Sequence, residues 1–137
     1  MIFDDVLAMR GRLLDTLAVT YPDMLIIFDN QEAVTPPVDA VWCRFSVKPN
    51  TQQIASIGQT KRYNQTGIAT LQIIVPEQMG DAIGYDVLDA WNASIRDWRS
   101  DDSSLYVYQT STQPFTPTID DPAYKINHLS FYRSVRS

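Results

Sequence analysis

The chain has 137 residues, 16 Asp and Glu against 11 Lys and Arg, and a formal net charge of −5. This length suits one domain, and a chain of this size buries roughly 68% of its unfolded surface, enough for a real core. The acidic balance argues against a dedicated nucleic-acid binder, which needs a basic excess to displace counterions, although DNA can still slide past such a protein.

Residues 2–20 read as a helix. Ile2, Phe3, Val6, Leu7, Leu13, Leu14 and Leu17 recur at helical spacing and define one apolar stripe. Asp4 and Asp5 sit in the first turn, where the helix dipole favours negative charge, and Pro22 stops the helix. The same two acids stand where a secretory signal would begin with basic residues, so no signal peptide is expected. No apolar run reaches the ~20 residues needed to span a bilayer.

Met24 to Phe28 reads as a short buried strand, followed by a loop around Pro36-Pro37. Val41 to Lys48 alternates cleanly. Val41, Cys43, Phe45 and Val47 share one face, and Trp42, Arg44, Ser46 and Lys48 the other. Trp beside Arg on an outer sheet face fits an interface, since both are enriched in interface cores. Cover by a helix of the same chain is the competing explanation. Residues 49–65 are polar, Gln-rich and basic, and too long for an ordinary hairpin turn. They form either a protruding β-arm or a loop that orders on a partner. Gly67 admits a bulge or tight bend.

Ile68 to Val75 is the strongest strand, apolar on both faces toward its end, and is expected to be central. Asp81 to Arg99 reads as a second helix, with Ile83, Val87, Leu88, Trp91, Ile95 and Trp98 on one face. Asp81 suits its N-terminus, and Arg96 and Arg99 its last turn. Trp91 and Trp98 are expected to anchor the core. Residues 105–112 and 124–135 are two further strands. The order α-β-β-β-α-β-β predicts a single α+β domain over residues 1–137. Its sheet is mostly antiparallel, two helices pack on one face, and a loop or β-arm protrudes at about 49–66.

Catalytic constellations are not apparent. The single cysteine, Cys43, allows neither an internal disulfide nor a thiolate cluster, and its strand position suggests an apolar filler. The single histidine, His128, would have to serve any Ser–His–Asp or Cys–His device. The pairs Asp4-Asp5, Asp101-Asp102 and Asp120-Asp121 invite a metal or acid–base reading, but a helix start and turns explain them locally. No phosphate-cradling Gly-rich loop occurs. Lys61-Arg62 can touch a phosphate, or simply mark a solvated tip. A small hydrolase and a nucleic-acid binder are the rival classes.

Residues Val41-Trp42-Cys43-Arg44-Phe45-Ser46-Val47, Pro49, Gln53, Ser56-Ile57-Gly58, Arg62, Gly67, Leu71-Gln72-Ile73-Ile74-Val75-Pro76 and Gly80 resemble the tail terminator proteins of long-tailed bacteriophages. The match spans about residues 41–95. The resemblance implies a homo-hexameric ring at the head-proximal end of the tail tube. Such a ring stops tube polymerisation and joins the head. It implies partners in the major tail tube protein and a head-completion or neck connector protein. It also implies a lumen that passes genomic DNA without specific binding, location in the virion after assembly in the host cytoplasm, and neither cofactor nor catalysis. Another neck component with a related fold is the alternative. On this resemblance the expected assembly contacts are Trp42, Arg44, Gln53, Ile54, Ile57, Lys61, Arg62 and Tyr63.

Overall fold

The computed structural model describes residues 2–29, 35–37, 39–54, 58, 62–77, 79–101, 104–119 and 122–136. Alternating apolar side chains build five strands: β1 (Ile26–Phe28), β2 (Trp42–Ile54), β3 (Tyr63–Val75), β4 (Leu105–Phe115) and β5 (Tyr124–Arg136). They form one sheet in the order β1-β2-β3-β5-β4. Only the β1–β2 pair is parallel. The helices α1 (Ile2–Leu13) and α2 (Ala82–Ile95) complete the α-β-β-β-α-β-β order of a small α+β domain, and β3 is the central strand as expected.

Both helices cover one sheet face. Cys43, Phe45 and Val47 of β2 align with Ile73, Leu71 and Ala69 of β3. Ile126, His128, Ser130 and Tyr132 of β5 continue these rows. All ten are buried and face the helices. Trp91 of α2 fills the middle of this layer, edge-on to Phe45 (5.8 Å between ring centroids) and to His128 (6.4 Å). Gly84 lets α2 lie this close, since a Cβ there would stand 2.7 Å from a Val75 methyl. Trp98 is half-buried beside the core, beneath the Arg12 guanidinium.

Helix α1 departs from the sequence reading in the face it buries. Met9, Leu13 and Leu17 point inward together with Asp5, whose carboxylate accepts a 2.6 Å hydrogen bond from Ser134. Ile2, Phe3, Leu7 and Leu14 of the expected stripe are exposed instead. A π-helical turn at Leu14–Ala18 follows α1 and keeps Leu17 on the buried side of Leu13. The stripe test counted apolar residues only. The buried row runs 5, 9, 13, 17, and its first member is a carboxylate that finds a buried hydroxyl partner.

Strand lengths also differ. β2 runs through Pro49 to Ile54, because β1 covers it only at Cys43, Arg44 and Phe45. Pro49 therefore lies where β2 is an edge, and its missing N–H costs no ladder bond on that side. A bulge between Pro49 and Gln52 lies opposite the Gly67 region. β4 tolerates Pro114 for the same reason, being the other edge strand. α2 ends at Ile95, before Arg96 and Arg99. Asp97 takes a left-handed φ of 58°, a conformation Asp adopts more readily than most residues. The turn frees Arg99 to pair with Tyr106 in an isolated bridge.

Gly67 holds a close approach of a different kind. A Cβ there would overlap the ring of Tyr132, its cross-strand partner on β5. Gly67→Ala should therefore destabilise the domain by about 1–3 kcal/mol, the usual cost of overpacking, read as a lower urea midpoint. Tyr132→Leu in the same chain should recover part of that loss.

Candidate functional site

Besides the outward side of α1, two surfaces stand out among the described residues once the helices have closed the inner layer. The first is the far end of the β2–β3 hairpin. Every β2 residue from Lys48 to Ile54 is exposed. Gln53 pairs with Asn64 and Ile54 with Tyr63, so the arm is paired strand up to this point. Ile54 leaves 58% of its side chain accessible, a large apolar group with no cover from its own domain. Arg62 is exposed and Tyr63 half-buried.

The second surface is the outer face of the sheet. Register places Arg44, Gln72, Asn127 and Gln113 on one outward rung, and Lys48, Ile68, Phe131 and Gln109 on another. Arg44 stacks on Trp42 at 5.1 Å. A shallow depression of about 430 Å³ lies here, lined by Arg44, Ser46, Lys48, Thr70, Gln72 and Asn127 among others. A second, of about 350 Å³, adjoins it through Gln72 and Asn127 and reaches Lys125 and Phe115. The Oδ1 of Asn127 is buried with no hydrogen-bond partner among the described residues, which leaves an acceptor unsatisfied on this face.

The expected contact residues fall into two groups. Gln53, Ile54, Arg62 and Tyr63 gather at the hairpin end. Trp42 and Arg44 lie on the outer sheet face, about 30 Å away at ~3.3 Å per residue along β2. Trp42 is only 8% exposed, so its ring lies under Arg44 and is not itself an open contact. It stands outside the main core cluster, on the sheet face opposite Cys43 and Phe45. Ile57 and Lys61 lie outside the described residues. Two features escaped the sequence reading. One is the exposed ridge of α1. The other is the charge of the strands: none of the five contains an Asp or Glu, although the chain has 16. That signal was countable from the sequence.

The geometry keeps Cys43 and His128 apart, and the hydroxyl that does meet the imidazole, Ser130, is fully buried with it. Cys43 and His128 are on β2 and β5, on either side of β3. The Cys43 thiol points to the Met24 sulfur at 3.8 Å, and burial pushes its pKa up to about 12. His128 Nε2 lies 3.0 Å from Asn92 Oδ1, and Nδ1 3.4 Å from Ser130 Oγ. No group of three His, Cys, Asp or Glu side chains comes together as a metal ligand set among the described residues. Asp102, Asp120 and Asp121 lie outside them. No helix is long and apolar enough to cross a membrane.

Burial pulls the His128 pKa from 6.5 down to about 4, partly opposed by a backbone hydrogen bond. The fold thus holds this imidazole neutral, while the unfolded chain protonates it below about pH 6.5. The stabilisation is complete above that pH and is lost as pH falls toward 4. His128→Gln should flatten this part of the pH profile, measured as thermal midpoints at about pH 7 and about pH 4.5. It should leave assembly intact.

No family model matches the chain, and no curated protein matches it. A solved structure whose name describes no function superposes with a TM-score of 0.68, at 21% identity, covering 93% of this chain and 90% of that one. The likeness is one of fold: the same small α+β architecture accommodates a largely different sequence.

Proposed function

We propose that the chain is a structural virion protein. It forms a ring that caps the head-proximal end of a phage tail tube, stops tube polymerisation and offers the docking surface for head and neck. The observation that carries this reading is the β2–β3 hairpin, together with the resemblance of residues 41–95 to tail terminators. From Lys48 to Ile54 its β2 edge is exposed at every residue. An apolar group such as Ile54 at the end of so polar an arm gains most by burial in another subunit.

A closed ring needs heterologous contacts, in which one patch meets a different patch on the neighbour. The hairpin and the outer sheet face are two such unlike patches on one chain. Growth stops if one ring face fits the last tube ring and the other cannot template a further tube subunit. The partners on this reading are the tail tube protein on one side and a head-completion or neck protein on the other. DNA passes the lumen without specific contacts, helped by a net charge of −5. The protein acts by docking, with neither cofactor nor turnover.

Negative-stain microscopy of the purified protein should show a sixfold annulus, and tails assembled without it should be overlong. Tails of normal length that fail to join heads would favour another neck component. Replacing residues 51–64 by a short Gly–Ser bridge should leave a folded monomer and abolish the ring. An unchanged oligomer would remove the hairpin from the contact, and a demonstrated turnover reaction would overturn the whole reading.

A further inference from the structure

We infer that the outward ridge of α1 in one copy is what covers the outer sheet face of the next. The inference rests on the ring reading and supplies its contact. A sheet is normally covered on the face where apolar side chains emerge. Here Ile68, Leu129 and Phe131 emerge half-buried on the side without helices, with Ile68 beside Phe131 and Thr70 beside Leu129. In the same chain helix α1 displays apolar groups that the described residues leave largely exposed. Phe3, Leu7 and Leu14 are 59%, 50% and 43% exposed. At 3.6 residues per turn they fall within about 40° of one another around the helix axis, a ridge roughly 17 Å long.

Charge separates the two surfaces. The outward cations of the sheet are Arg44, Lys48, Lys125 and Arg133, and no strand carries a carboxylate. Asp4 and Asp15 lie along one side of the α1 ridge and are exposed. The two cations of α1 turn back onto their own domain. Arg10 sits over Phe28 at 5.1 Å, and Arg12 donates to the Ser94 carbonyl at 2.7 Å. The ridge is thus apolar with an acidic margin along one side, and the sheet face is apolar with cations around it and Asp29 beside the Arg44 depression. The match holds in both hydrophobic and electrostatic terms.

The two surfaces lie on opposite sides of the domain. They cannot meet within one chain, and pairing them between copies gives a heterologous contact that propagates until it closes. A nucleic acid would use the cations but leave Ile68, Leu129, Phe131 and the α1 ridge unburied, so a second copy fits the face better.

The test is a charge swap in the full chain, read by sedimentation. Arg44→Glu with Lys48→Glu, and separately Asp4→Lys with Asp15→Lys, should each raise the protein concentration needed for assembly at least tenfold. All four changes together should restore much of it. Circular dichroism should show native secondary structure throughout, since these side chains are exposed. Leu7→Cys with Leu129→Cys, oxidised, should give a covalent ladder of copies, which reports the contact even if a charge variant folds poorly. A wild-type ring that the reversals leave unchanged, with no ladder, would overturn this contact and leave the ring standing. Absence of any wild-type ring would overturn the ring reading first. Tight binding of a DNA duplex that is lost in Arg44→Glu/Lys48→Glu, with the oligomer unaffected, would assign the face to nucleic acid and overturn the inference.

Discussion

The seating of Trp91 against the inner sheet face sets the terms for the rest of the molecule. Its ring meets Phe45 from β2 and His128 from β5, with β3 between them. Both neighbours must arrive in register, because a slip of one residue in either strand would turn its side chains to the opposite face. Gly84 allows the helix to come down far enough for this contact. Helix α1 then closes the β2 side through Met9, Leu13 and Leu17. With both helices on one face, the outer face of the sheet carries no helix among the described residues, and only its Trp42–Ile74 end is buried within the chain.

That one-sidedness connects packing to function. The hairpin, the outer sheet face and the α1 ridge are what remain after the core has taken its share, and each displays apolar groups in a polar frame. Such surfaces are characteristic of proteins that assemble. Cys43 and His128 are both taken up by the core, one against Met24, the other among Trp91, Asn92 and Ser130.

Period-two alternation made the strands legible, and period 3.6 made α2 legible from Val87 to Ile95. The central place of β3 followed from its being apolar on both faces. What could not be read locally depended on neighbours in space. Pro49 looked like the end of β2 because nothing in its own stretch says that β1 is only three residues long. The buried face of α1 was misjudged because Asp5 looked like a dipole residue, and its partner Ser134 lies 129 positions away. Of the expected contact residues, Gln53, Ile54 and Arg62 are exposed at the hairpin end, and Tyr63 is half-buried there, paired with Arg136 of β5. Trp42 was misleading, since an aromatic on the outer face can be sheltered by its own strand neighbour, here Arg44. The carboxylate-free strands are a global property that no single window reveals.

The shortness of β1 has one further effect. Beyond Phe45 the outer backbone rim of β2 meets no strand among the described residues, and open rims of this sort invite foreign chains to stack on and grow fibrils. Pro49 interrupts the row of donors midway, the adjacent bulge twists it out of line, and Lys48 puts like charge where two such rims would meet. The molecule thereby keeps a long bare margin in solution without feeding amyloid, and its sociability is confined to side chains.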